Sequence, residues 1–218
     1  MLKAVLFDMD GVIVDTEPLH KKAYYLMFNF YNITVSEELF ESFTGQSTIN
    51  VCKQLCASFN LDISANTLMA KKREYFKELF FNDPDLKLID GVLDLIKNYY
   101  NNGIALVLAS SASMLTINNV FSKFKLDSYF KAKISGADLK ASKPHPEIFI
   151  KAAELSGFSR AECIVIEDST SGIKAAKSAG IYCVGYNSLH SKNQNYSLAD
   201  MVVDNFYPLH YERISSLL

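Results

Sequence analysis

With 218 residues, 49% of them hydrophobic and 21% charged, the chain carries enough apolar material for one large core, or for one core with a small satellite domain. A net charge of −2 and a pI near 6.1 supply no basic field for nucleic acid, and no run of like charge exceeds Lys71-Lys72-Arg73. No apolar run reaches the roughly 18 residues of a membrane span and a strand pattern begins at once, so the expectation is a cytoplasmic monomer without signal peptide, membrane or nucleic-acid partner, acting on a small molecule.

The first element is Ala4 to Phe7, short, rich in β-formers and apolar on both faces, as suits a strand buried between layers of helices. It stops at Asp8-Met9-Asp10-Gly11. In open α/β sheets ligands bind at the carboxyl ends of the strands, so carboxylates there are positioned for chemistry. If the backbone stays extended, Asp8 and Asp10 share one side, and two negative charges so close need a cation. Magnesium prefers oxygen ligands and would hold Asp8 ionised while Asp10 carries a proton. One carboxylate can then attack phosphorus while the other serves the leaving oxygen. A polar strand end or turn accounts for the Asp-x-Asp spacing equally well.

From Glu17 to about Phe81 the pattern turns helical: Leu19, Ala23, Leu26, Met27 and Phe30 recur at helical spacing behind Thr16, Glu17 and Pro18. Similar periodicity runs through Ser36 to Phe43, Ile49 to Phe59 and Thr67 to Phe80, with no convincing strand between. Cys52, Cys56, Cys163 and Cys183 lack histidine at zinc-finger spacing and are expected to be reduced and mostly buried. The breakers Asn82-Asp83-Pro84-Asp85 end the block. The expected organisation is therefore a core of residues 1–15 and 83–218 with a helical insertion, 16–82, crossing at a paired hinge near Asp15 and Asp83.

An amphipathic helix over Val92 to Tyr100 ends at Asn101-Asn102-Gly103, and Ile104 to Leu108 reads as a second buried strand running into Ala109-Ser110-Ser111-Ala112-Ser113. Hydroxyl residues between a strand and a helix can hold a phosphoryl oxygen, or merely cap the helix. A short strand is expected at Lys131 to Ser135, and the prolines of Lys143-Pro144-His145-Pro146 start another helix, with His145 at the surface. Cys163 to Ile166 is a further buried strand, ending in Glu167-Asp168-Ser169-Thr170-Ser171-Gly172. Two acids there can point at a cation or only favour the dipole of the next helix. Short strands at Tyr182 to Gly185 and Met201 to Val203 and a helix over Tyr207 to Leu218 complete the reading.

The strings Asp8 to Thr16, Ser110 with Ser111, Lys143-Pro144, and Glu167 to Gly180 occur in the order of the four motifs of the haloacid dehalogenase-like phosphotransferases, and the chain resembles their β-phosphoglucomutase-like branch over its whole length. That resemblance implies an α/β fold, a doubly wound parallel-sheet (Rossmann-like) core with an inserted α-helical cap. It implies a nucleophilic Asp8 that forms an aspartyl-phosphate, and Asp10 as acid and base. Mg²⁺ would be held by Asp8, the Asp10 carbonyl and Asp168, with Glu167 directly or through water. Ser110 and Lys143, and less strongly Ser111, would cradle the phosphoryl group of a small phosphate ester, with Thr16, His20, Gly45 and Lys71 contributing from the cap.

The expected activity is Mg²⁺-dependent hydrolysis of a phosphate monoester, a sugar phosphate above all, with a β-phosphoglucomutase-type phosphohexomutase as the alternative. In the resembled mutases a lysine precedes the cap glycine and an arginine follows it by three residues, two cations suited to a second phosphate. Here Thr44 and Thr48 flank Gly45 at those positions, and only Lys71 offers a substitute charge. A non-catalytic receiver domain, also phosphorylated on aspartate, would have no use for the helical insertion.

Overall fold

The computed structural model describes residues 1–43, 46–83, 86–187 and 193–215. The chain divides into two compact units, Met1–Asp15 with Lys87–Leu218, and Thr16–Leu86.

The first unit is a doubly wound α/β layer structure. Its strands are β1 (Ala4–Phe7), β2 (Ala105–Ser110), β3 (Ala132–Ser135), β4 (Cys163–Glu167), β5 (Tyr182–Tyr186) and β6 (Met201–Val203). They form one six-stranded sheet in the order β3-β2-β1-β4-β5-β6, every neighbouring pair parallel. β1 lies centrally, with Phe7 in register with Leu108 of β2 and Ile166 of β4. Its four residues are fully buried because both faces are covered, as the two-sided apolar run requires. On one face Ala4, Leu6, Val107, Ala109, Val165 and Cys183 meet α7 (Glu147–Ser156) and α8 (Thr170–Ser178). On the other, Phe7 meets Tyr99 of α5 (Val92–Asn101) and Phe130 edge-on, and Phe130 packs against Phe121 of α6 (Met114–Phe124).

The strands run one or two residues further than apolar patterning suggests: β2 includes Ser110, β4 includes Glu167 and β5 includes Tyr186. Backbone ladders continue past the last apolar side chain, so the polar residues are held by the sheet itself. The closing helix expected over 207–218 is instead a 3-10 turn at Tyr207–Leu209 followed by a short helix, Tyr211–Ile214, with residues 216–218 outside the described set. His210 between them is extended (φ −55°, ψ 142°), and this breaks the run.

The second unit is helical: α1 (Glu17–Phe30), α2 (Glu37–Glu41), α3 (Thr48–Phe59) and α4 (Ala65–Asn82). It has its own core, in which Tyr24, Met27, Phe28, Phe43, Val51, Cys52, Leu55 and Leu68 meet. The four cysteines of the chain are free thiols. Among the described residues no helix is long and apolar enough to cross a membrane.

Tyr99 ties α5 to the C-terminal turn, its buried hydroxyl donating to the Leu209 carbonyl at 2.5 Å. Tyr99→Phe is expected to lower stability by about 1–3 kcal/mol, the toll of a buried carbonyl left unpaired, read from the urea midpoint of the purified protein.

Candidate active site

Asp8 follows the last residue of β1 and stays in the sheet's frame, its N–H donating to the Ile166 carbonyl of β4 at 3.0 Å. The chain then leaves the strand. The N–H groups of Val12, Ile13 and Val14 all turn back to the Met9 carbonyl, and Gly11 takes φ +82°, where a side chain is strained. A Cβ at Gly11 would also overlap the Asp168 carboxylate, so the loop after β1 and the acid after β4 share one small space.

Lys143 enters this space from the loop before α7, with a side chain only 5% exposed. Its ammonium donates to Asp8 Oδ1 at 2.5 Å, Glu167 Oε1 at 2.7 Å and the Ala109 carbonyl at 3.1 Å. It also lies 4.9 Å from the Phe149 ring centroid. Glu167 is anchored on its other oxygen by the N–H (2.7 Å) and hydroxyl (2.9 Å) of Ser169. Gly172, one turn into α8, has no side chain to collide with that carboxylate. Asp8, Glu167 and Asp168 are 7%, 1% and 6% exposed, so three acids are withdrawn from water, two of them against the Lys143 ammonium.

The electrostatics follow from that imbalance. Burial pushes the Asp8 carboxyl up to about 7; Lys143 opposes the rise, and Glu167 and Asp10 add to it. Burial alone would lower the Lys143 pKa, but Asp8 and Glu167 outweigh it and hold the ammonium firmly charged. Ser110, buried at the end of β2, receives the Ala112 N–H on its hydroxyl at 3.0 Å, while Ser111 is exposed. Gly136 lets this turn pack closely, since a Cβ there would lie 3.2 Å from Ser111 Cα.

Asp8, Lys143 and Glu167 are thus in direct contact, Asp168 adjoins the Gly11 turn, and Asp10 lies close enough to act on the charge of Asp8. The donor chemistry fits a divalent cation: buried carboxylate oxygens, acid in excess of the single ammonium, and a glycine where a side chain would fill the space. Among the described residues no three His, Cys, Asp or Glu side chains form a ready ligand cluster, and Glu167 is engaged by Lys143 and Ser169.

In the helical unit, Thr16 is buried ahead of α1 and its carbonyl accepts the His20 N–H at 2.9 Å. His20 is partly buried, stacked on Phe76 at 4.3 Å, with Nδ1 2.5 Å from the Lys72 ammonium. Burial, with Lys72 adding to it, pushes the His20 pKa well down, so its imidazole is neutral at physiological pH. Lys71 is bound to Glu74 at 2.9 Å and lies over the Phe30 ring. Gly45, with Thr44, lies outside the described residues. Lys72 is the functional candidate that sequence reasoning missed, buried at 2% exposure between Tyr24 and Phe76. The signal existed: Leu68, Lys72, Phe76 and Phe80 form the four-residue repeat of the buried face of α4.

The profile of the family described as haloacid dehalogenase-like hydrolase matches residues 5–186. The chain is 30% identical over 203 residues to a phosphorylated carbohydrates phosphatase of Thermotoga maritima, covering 91% of each. It is 27% identical to a fructose-1-phosphate phosphatase of Escherichia coli, covering 83% of this chain and 94% of that protein. Its fold matches the crystal structure of β-phosphoglucomutase from Clostridium difficile with a TM-score of 0.82 at 28% identity, over 99% of this chain and 96% of the other. The chain therefore belongs to the haloacid dehalogenase-like hydrolases. Within them it falls in the β-phosphoglucomutase-like branch, and it is an enzyme of the phosphohydrolase class.

Lys143→Met is expected to destabilise the protein by about 3–5 kcal/mol, because it leaves two buried carboxylates without their cation. The loss should grow with pH. A carboxyl whose folded pKa is raised, as Asp8 already is from 3.8 to about 7, contributes stability that is present below pH 3.8 and fades as pH climbs through 7. Without the ammonium that fade extends to higher pH, and urea unfolding of both proteins in metal-free buffer from pH 5 to 8 measures it.

Proposed function

We propose that the protein is a Mg²⁺-dependent phosphatase of small phosphorylated carbohydrates working through a phosphorylated Asp8. The observation that carries this reading is the buried Asp8 at the end of the central strand, held by Lys143 beside Glu167 and Asp168. The names of the phosphatase relatives support the substrate class.

Asp8 attacks phosphorus with a carboxylate oxygen while the bond from phosphorus to the ester oxygen breaks. Asp10 gives its proton to that leaving oxygen. Asp10 then takes a proton from water, whose oxygen attacks the aspartyl-phosphate, releasing inorganic phosphate and restoring Asp8. Lys143 opposes the rise that burial imposes on the Asp8 pKa and, with Ser110, holds phosphoryl oxygens; Glu167 fixes Lys143. Asp8, the Asp10 carbonyl and Asp168 would hold Mg²⁺, which would supply positive charge to the transferring group. The helical unit, Thr16–Leu86, acts as a cap that excludes water and selects the substrate.

Hydrolysis is favoured over the mutase reading because the two cations a second phosphate needs are replaced by Thr44 and Thr48, and Lys71 is committed to Glu74. With β-glucose 1-phosphate and a trace of the 1,6-bisphosphate, the protein should release phosphate faster than it forms glucose 6-phosphate. The reverse ratio would establish a mutase.

On p-nitrophenyl phosphate, Asp8→Asn should abolish turnover and Asp10→Asn should reduce it by ~10²–10⁴-fold, with circular dichroism unchanged. Wild-type activity should vanish in EDTA and return with Mg²⁺, but poorly with Ca²⁺, which is larger and less exacting in geometry.

A further inference from the structure

We infer that Tyr196 is a positioning residue for Asp168, and that the strap of residues 194–200 sets how tightly the site takes its divalent cation. The inference rests on the proposed metal site, and every contact it uses lies within the α/β unit.

β4 makes its last ladder pair at Glu167, opposite Gly185, so the peptide that carries Asp168 lies just beyond the sheet's own hydrogen bonds. Helix α8 begins only at Thr170. Across this gap the Tyr196 hydroxyl donates to the Asp168 carbonyl at 3.0 Å. Two further bonds grip the same junction: the Thr170 N–H donates to Gln194 Oε1 and the Asn195 N–H to Thr170 Oγ1, both at 2.7 Å.

The strap is itself fixed. Asp200 receives Lys177 of α8 on both carboxylate oxygens at 2.6 Å and the Cys183 N–H of β5 at 2.8 Å, and its own N–H returns to the Cys183 carbonyl. The Tyr196 ring lies on Gly185, where a Cβ would come within 2.9 Å of Cδ1, so the glycine in the middle of the ladder makes room for the tyrosine. The hydroxyl therefore reaches Asp168 from a ring seated on Gly185. On its opposite side the Asp168 carboxylate lies against Gly11. The Tyr196 bond fixes the carbonyl and the Gly11 turn bounds the carboxylate, so a rotation of the Asp168 peptide would carry its oxygens out of the space they share with the loop after β1. Partners that hydrogen-bond a metal-ligating group typically alter metal affinity by ~10–100-fold when deleted. Tyr196 acts one step further out, on the backbone carbonyl of the residue whose carboxylate would bind, so its effect belongs at the lower end of that range.

Isothermal titration of the metal-stripped full chain with Mg²⁺ tests this. Tyr196→Phe keeps the ring on Gly185 and should raise the Mg²⁺ dissociation constant by ~10-fold. At saturating Mg²⁺, KM for p-nitrophenyl phosphate should match wild type, a split that general loosening would not produce. Gly185→Ala, which displaces the ring but keeps the hydroxyl, should weaken Mg²⁺ in the same sense and decides by the same criterion if Tyr196→Phe does not fold. An unchanged Mg²⁺ dissociation constant in a folded variant overturns the inference while leaving the metal site intact. Absence of Mg²⁺ binding by the wild-type chain overturns the metal site, and the inference with it.

Discussion

One ammonium holds the α/β unit's polar centre together. Lys143 donates to Asp8, Glu167 and the Ala109 carbonyl, and so joins the ends of β1, β4 and β2 at a point where the sheet's apolar interior stops. Either carboxylate alone would be costly to bury. Each local feature around them keeps that arrangement possible: Ser169 takes up the second oxygen of Glu167, Gly172 clears space for it, and Phe149 offers its ring to the ammonium. Burial, with the negative charge of Glu167 and Asp10 added to it, still leaves Asp8 high in pKa.

The sheet brings these groups together by register rather than by any single loop. Asp8 and Glu167 follow residues paired directly across β1 and β4, and Ser110 ends the neighbouring strand on the other side. The helical unit is organised on a different principle. Its core is an aromatic and aliphatic cluster, and a deeply buried cation, Lys72, sits between Tyr24 and Phe76 with His20 as a neighbour.

The α/β fold and the acid pairs were legible in the sequence because buried parallel strands leave short two-sided apolar runs, and such runs end abruptly where the chemistry begins. Contacts between residues distant in sequence left weaker traces. Glu167 reads as a metal ligand from its neighbour Asp168, yet its oxygens meet Lys143 and Ser169, a pairing no local spacing announces. Lys71 and Lys72 are chemically equivalent neighbours, and only the periodicity of α4 separates the half-buried partner of Glu74 from the fully buried neighbour of His20. Tyr196 carries no motif, since its role depends on a glycine eleven positions earlier on another strand. The last helix was misjudged because apolar spacing over 207–218 hides the extended backbone at His210.

The central claim is that the phosphoryl group resides on Asp8 during turnover. Wild-type protein mixed with p-nitrophenyl phosphate and Mg²⁺, quenched in acid on the millisecond scale and digested for mass spectrometry, reads this directly. The phosphoryl group should appear on the peptide bearing Asp8, decay as substrate is exhausted, and be missing in Asp8→Asn. Undiminished turnover by Asp8→Asn, or a kinetically competent phosphoryl group on any other residue, would contradict the account.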